Sequence, residues 1–471
     1  MLTDLSWLDI GKPFPPPCTV HRLARYKENK EIFEDNYESV YREQWKRIER
    51  VIGNINDVVG YAVIANYQKL MSIKTADLAI GEMPNITVSD DAKQKVIDDL
   101  IIDTDLQNYL YMSALDLSRY GDSILMATAD GKVDVVSPAL WFPVVDQFNV
   151  RRFLYHVFAF IYLIDANKKT YGLKVQIHKP SEPSECEERL YELQGLPGSF
   201  KIKKDLTKHK AMKIQTNLDT CPVFRVSNML TSDRLFGIDD YRSVDSLVSE
   251  LMVRISQVSK VLDKFSHPAL TGPSTALTWN EVTQQYELKF SSYFTRDTTD
   301  SPEVKAVVWD ASLDANFKQI ELIINQLYAI SEMGSVLFGD ISNTAGQVAS
   351  GTALRRLMMS PLAKAKRLVN RYTNPLKHIL CVLAKSRDVE IIPSDITITW
   401  NDGLPDDPTE EAEIANLRTG GKATLSQYTA IQRLDKMSSG DVDAELSMIR
   451  ADELDNTAGS VPPLEQEDVY E

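Results

Sequence analysis

Apolar residues recur at three- and four-residue steps through three long stretches of the chain. Phe317, Ile320, Ile323, Ile324, Leu327, Ile330 and Met333 form one stripe, which predicts a helix over 314–338. Leu354, Leu357, Met358, Leu362, Ala365, Leu368 and Val369 predict a second, from about Gly351 to Arg387. Pro361 predicts a kink in it and Pro375 a stop or restart, since each removes a backbone donor. A third stripe, Val244, Leu247, Val248, Leu251, Met252, Ile255, Val258, Leu262 and Phe265, predicts a helix that starts after Gly237 and ends before His267-Pro268. Between the first two lies a loop, 339–351, with no aromatic residue and no positive charge. Asp340, Ser342, Asn343, Thr344, Gln347 and Ser350 supply its polar groups, and Gly339, Gly346 and Gly351 its hinges. So polar a loop cannot fill a core. It is expected to be exposed and movable.

Elsewhere the period changes. Phe14-Pro15-Pro16-Pro17 forbids helix, so residues 1–36 read as an extended arm with a basic cluster at Arg22, Arg25, Lys27 and Lys30. Helices are expected from Tyr37 to about Ile52, from Gly60 to Ala79 and from Ala92 to Ser118. Strands follow at Ser123–Thr128, Val133–Val136, Phe153–Ile164, Tyr171–His178 and Arg189–Leu193, with a turn at Ala129-Asp-Gly131. Residues 269–313 turn β-like again, with short strands at Tyr286–Phe290 and Val304–Trp309. Val389–Trp400 reads as a strand pair, and helices are expected at Thr409–Arg418, Thr424–Leu434 and Asp441–Leu454. The tail from Asn456 to Glu471 is acidic, holds Pro462-Pro463 and is expected to be disordered. The fold class is α+β.

Charge narrows the functions. The chain's 471 residues carry a net charge of -15, and from Asn401 onward 17 acidic residues face only five basic ones. Tight nonspecific DNA binding needs basic side chains that displace counterions, so this balance opposes it. It does not oppose a surface past which DNA slides. Lys201, Lys203, Lys204, Lys208, Lys210 and Lys213 form the densest basic patch. With no interleaved aromatic residues to stack bases, a solvated hairpin suits it better than a nucleic-acid contact. The four cysteines are scattered without metal or redox spacing and read as reduced thiols of a chain assembled in a cytosol. Phe153 to Ile164 is too short to span a bilayer as a helix and reads as a buried strand. No secretory signal and no membrane role are expected.

The order of segments resembles the portal proteins of tailed bacteriophages over nearly the whole chain. Arg25-Tyr-Lys-Glu-Asn-Lys30 is similar to the family's opening. Leu78-Ala-Ile-Gly-Glu-Met-Pro84, Arg119-Tyr-Gly-Asp-Ser123 and Pro138-Ala-Leu-Trp-Phe-Pro143 are similar to its amino-terminal half. Phe236-Gly-Ile-Asp-Asp-Tyr241 stands where such proteins begin their first stem helix. Ile330-Ser-Glu-Met-Gly-Ser-Val-Leu-Phe-Gly339 and Ser350-Gly-Thr-Ala-Leu-Arg355 resemble the helix, tunnel loop and long helix, and Asn401-Asp-Gly-Leu-Pro-Asp406 the return to the crown. The resemblance implies an arm (1–36), a wing (37–237), stem helices (238–266 and 314–338) around a clip (267–313), and a tunnel loop (339–351). A long kinked wing helix with strands (352–406), a crown (407–455) and the acidic tail (456–471) complete it.

It further implies a ring, usually of twelve, at one capsid vertex, through which double-stranded DNA is packaged and ejected. Terminase, head-completion or adaptor proteins, and major capsid and scaffold proteins are the implied partners, in a virion assembled in host cytoplasm. The loop suits that role, because twelve basic loops would grip phosphates whereas Asn343, Thr344, Gln347 and Ser350 offer weak exchangeable hydrogen bonds. Arg355, Arg356, Lys364, Lys366, Arg367 and Arg371 lie beyond it on the long helix, either as partners of acidic neighbours, as a soft ring around the channel, or as a solvated face. Copy number stays open at this level.

Chemistry for catalysis is missing. No Gly-x-x-x-x-Gly-Lys-Ser/Thr loop appears, since Gly420-Gly421-Lys422 is followed by Ala423 and lacks the first glycine. The six histidines lack zinc spacing, and no Gly-x-Ser-x-Gly elbow exists. Asp402, Asp406 and Asp407 suit an acidic loop better than a metal site. No catalytic residue, metal or cofactor is therefore expected. The rival reading is another virion structural or scaffold-binding head protein, which would not need the neutral loop between two helices.

Overall fold

The structure is a computed structural model. It describes residues 1–36, 46–47, 63–266 apart from 129, 166, 168, 208–211 and 216–219, short strands between 270 and 306, 313–339, 355–403 apart from 402, and 408–458 apart from 421–423 and 435–438. Two compact units result, one holding most of 1–403 and the other the helices of 408–458.

The amino-terminal segment is no arm. Strand β1 (Pro13–Phe14) and helix α1 (Val20–Phe33) are folded into the larger unit. Trp7, Leu8 and Phe14 are buried with Phe142, and the rings of Trp7, Phe14 and Phe142 lie 5.5 to 6.2 Å apart. The prolines only delay the helix, and Pro17 opens the short 3-10 turn that leads into it, a position where its missing N–H is not needed. Apolar burial decided this segment, which the proline run alone hid.

Helix α2 (Tyr67–Ile80) begins later than its apolar pattern suggests, because the Asn66 side chain accepts from the Lys69 N–H at 2.8 Å and caps it. Strand β2 (Asn85–Val88) follows. The helix expected over 92–118 is two, α3 (Asp91–Asp103) and α4 (Leu106–Tyr120), broken where Asp105 takes a φ of 50°. Asp90 caps α3 through the Ala92 and Lys93 N–H groups. The helix expected from Tyr37 to Ile52 lies almost wholly outside the described residues.

Strands β3 (Asp122–Ala127) and β4 (Val133–Val136) pair as the hairpin the sequence predicts, with Gly131 at φ 76°. Then come β5 (Val144–Val145), β6 (Phe153–Asp165), β7 (Thr170–Lys179), β8 (Glu182–Gln194), β9 (Phe200–Asp205), β10 (Met212–Gln215) and β11 (Val223–Ser227). A seven-stranded antiparallel sheet runs β1-β9-β8-β7-β6-β5, with β10 on β8, while β11-β3-β4 form a second sheet. Val157, Leu173, Val175, Ile177, Tyr191, Leu193 and Ile202 bury one face of the large sheet against the amino terminus.

Helix α5 (Asp245–Ser266) ends where the sequence predicts but begins later than expected, behind the short 3-10 turn Asp240–Ser243. Short strands β12 (Leu270–Gly272), β13 (Thr278–Asn280), β14 (Gln285–Glu287), β15 (Tyr293–Thr295) and β16 (Lys305–Ala306) fill the expected β-like insertion. Helix α6 (Asp314–Ile330) packs on α5. Met71, Tyr241, Val244, Val248, Met252, Leu327 and Met333 form the core they share with α1 and α2. The helix expected over 314–338 breaks after Ile330, because Glu332 and Gly334 take φ values of 60° and 66°, and a short α7 (Gly334–Leu337) follows.

The long helix α8 (Met359–Lys385) runs straight through Pro375, contrary to the expected stop. Leu368, Val369, Tyr372, Leu376, Ile379, Leu380 and Leu383 are all buried along it, so packing overrides a loss of about 3 kcal/mol from the proline. Pro361 stands in its first turn, where the absent N–H costs little. The strand pair expected over 389–400 is one strand, β17 (Ile396–Thr399), whose partner is the distant β2. In the second unit, α9 (Pro408–Thr419), α10 (Gln427–Leu434) and α11 (Ser439–Ala458) occupy the three expected helical spans. The tail from 459 lies outside the described residues.

Candidate functional site

The motifs that are scattered along the sequence meet in space. Gly121 closes α4 at φ 84°, and a Cβ there would come within 2.8 Å of the Gly237 carbonyl. A Cβ on Gly237 would in turn strike the Gly121 carbonyl oxygen. The two glycines thus let Arg119–Ser123 and Phe236–Tyr241 touch backbone to backbone, which no larger residue allows. Asp122, fully buried, locks the contact by accepting from Ser227 Oγ at 2.6 Å and from the Gly237 N–H at 2.9 Å. Burial pushes its carboxyl pKa up, partly offset by Arg225.

Two charged residues follow. Asp239 accepts from Arg25 at 2.7 Å and caps the Asp240–Ser243 turn through the Arg242 N–H at 3.0 Å. Arg25 also reaches Asp245 at 2.7 Å. Burial alone would lower the Arg25 pKa, but the two carboxylates outweigh it and hold the guanidinium well above its usual range. Asp240 accepts from Ser118 Oγ at 2.8 Å and Asn228 at 2.9 Å, and pairs with Lys364 of α8 at 3.3 Å. Tyr241 is buried completely and bonds Ser72 of α2 at 2.9 Å. Six consecutive residues therefore tie α1, α2, α4 and α8 to the start of α5.

On its far side this hub opens into a cavity of about 330 Å³ between the end of α6 and the first turns of α8. Lys364 also donates to the Ser331 carbonyl at 3.2 Å, Arg367 pairs with Glu332, and Arg371 donates to the Ser227 carbonyl at 3.1 Å. Burial, and then the charge of Arg367, lower the Arg371 pKa. Lys364, Arg367 and Arg371 of α8 are thus engaged within the chain, whereas Lys366 on α8 and Arg356 before it are exposed. Gly334 lies against Pro361, so α7 and the opening of α8 stand side by side at the base of the 339–351 segment.

Residues 18–457 match the family model described as phage portal protein, SPP1 Gp6-like. This chain belongs to that family. Among solved structures, the portal chain is similar to a chain of the virion of native gene transfer agent particle, with 11% identity, TM-score 0.43, 83% of this chain and 93% of that one covered. It is also similar to one from the neck of the empty particle computed with C6 symmetry, with 11% identity, TM-score 0.44 and coverage of 84% and 93%. No curated protein sequence matches it.

Of the portal chain's sequence-predicted site residues, Gly339 is described, at φ 84° with open space where a Cβ would point. Asp340, Ser342, Asn343, Thr344, Gly346, Gln347, Ser350 and Gly351 lie outside the described residues, as do Asp402, Asp406 and Asp407. Pro361 is buried at the loop's base. Of the lysine patch, Lys201, Lys203 and Lys204 stand on β9, and Lys203 is paired with Glu192 at 2.6 Å. Sequence reasoning missed Arg25, Asp122, Asp239 and Asp240 as a unit. Each sits inside one of the quoted motifs, but pairing across more than a hundred residues has no local mark.

Among the described residues no group of three or more His, Cys, Asp or Glu is arranged to hold a metal ion. No helix among them is long and apolar enough to cross a membrane.

Proposed function

We propose that copies of this portal chain close into a ring, of twelve by the family's habit, around a channel for double-stranded DNA at one vertex of a capsid. The observation that carries the reading is the family match across residues 18–457. Consistent with it, the stem helices α5 and α6 flank a small β insertion and share a core with α1 and α2. The segment 339–351 then contributes a rim without positive charge past which a polyanion slides without being gripped. The insertion of 267–313 is the docking face for the packaging terminase, and afterwards for head-completion proteins. Capsid and scaffold proteins contact the outer wall.

Negative-stain imaging of the purified chain tests the architecture, and a ring with a central hole is expected. A particle that stays monomeric at every concentration overturns it. The loop assignment has its own test. Asn343→Lys with Gln347→Lys is expected to stall DNA packaging while rings still assemble, because added cations grip phosphates. Normal packaging by that variant refutes the role given to the loop.

A further inference from the structure

The hub's near side holds a second cavity, of about 380 Å³, with four arginines around it: Arg22, Arg25, Arg234 and Arg242. Glu28 and Asp239 line it too, and among the described residues both pair with Arg25, as does Asp245, which leaves the other three arginines without a carboxylate partner there. Arg22 donates to the Pro138 and Trp141 carbonyls at 3.0 Å each and stacks 4.3 Å over Phe236, while its Nε is buried with no partner. Arg234 donates weakly to the Phe236 carbonyl at 3.4 Å, and Arg242 is exposed with no side-chain partner among the described residues. On a chain of net charge -15 this cleft is a concave cationic spot with an aromatic wall. A guanidinium fork suits a carboxylate, and the Phe236 wall suits an apolar group beside it.

Helix α3 presents that combination. Asp98, Asp99 and Ile102 share one face at three- and four-residue spacing, and Ile102 is 76% exposed. Asp99 is exposed with no partner among the described residues, and Asp98 accepts only from Gln94. α3 leads into the amino end of α4, whereas Tyr120 at the other end of α4 lines the cleft. About 20 Å of helix therefore separates knob from cleft, so one copy cannot fill its own and two copies can join head to tail.

We infer that the Arg22–Arg234–Arg242 cleft receives the Asp98–Asp99–Ile102 knob of a second copy of this chain. The inference rests on the ring reading above and names one contact that closes the ring. Duplex DNA is a poorer occupant, because a wide rigid rod reaches only the rim at Arg242 and brings nothing for the Phe236 wall.

Charge reversal tests it by mass photometry alongside thermal unfolding. Arg234→Glu with Arg242→Glu, and separately Asp98→Arg with Asp99→Arg, are each expected to raise the concentration for half-dissociation at least about tenfold with the unfolding midpoint kept. Mixing the two variants restores rings, since every alternating contact is then complementary. Rings unaffected by either reversal, or a mixture that fails to associate while both variants stay folded, overturn this contact alone. Unchanged assembly with weakened binding to a DNA duplex assigns the cleft to DNA and overturns it as well. A wild-type chain that never associates overturns the ring reading together with it.

Discussion

Two glycines decide more than any charged residue in this chain. Gly121 and Gly237 let two distant motifs meet backbone to backbone, and a methyl group on either must displace a main-chain atom rather than a flexible side chain. Gly237→Ala is expected to cost about 3 kcal/mol or more, read as a lowered denaturant midpoint with an unchanged slope. Histidine supplies a second prediction at this scale. His156 and His178 are cross-strand neighbours in β6 and β7, both buried, and burial lowers their pKa values to about 3 and about 4. The unfolded chain binds these protons near pH 6.5 and the folded chain does not, so stability is lost as pH falls from 6.5 toward 4. The loss is about 1.4 kcal/mol per histidine per pH unit at most, and His156→Gln with His178→Gln should flatten the dependence measured by urea unfolding.

At the scale of elements, local pattern and tertiary packing disagreed in instructive places. The α5 stripe gave the right helix because nine apolar positions at one spacing leave no other way to bury them. The same argument made α3 and α4 one helix and joined α7 to α6, since the apolar period continues across Asp105, and across Glu332 and Gly334, whose positive φ values break the helix. Proline misled in the other direction. At Pro375 the apolar face of α8, with Tyr372 bonded to Ser113 at 2.8 Å, holds the helix through a missing hydrogen bond. Pro375→Ala restores that bond and is expected to stabilise the fold by about 1 kcal/mol or more, seen as a raised thermal midpoint.

For the whole molecule, charge and architecture are separable. Most of the net excess of negative charge lies from Asn401 on, largely in the smaller unit, while the hub and both of its cavities lie in the larger one. A chain truncated after Gly403 is expected to keep the unfolding transition of the larger unit. It should also bind duplex DNA more tightly at low salt than the full chain does, because the repelling field is gone. A gel-shift series over ionic strength measures the difference, and equal affinity for both chains would show that the acidic helices do not shield DNA.

The sequence by itself determined helix α5, most of α6, the β-like stretch between them, the three helices of the second unit and the family. All of these depend on patterns that repeat within a few residues, or on the order of such patterns. The tertiary structure decided what lies between. It folded the proline-led amino terminus onto the large sheet, paired β17 with β2 across three hundred residues, and gathered Arg25, Asp122, Asp239, Asp240 and Lys364 into one hub. Those outcomes follow from burial and from charge pairing between residues far apart in the chain, and neither leaves a trace in local periodicity.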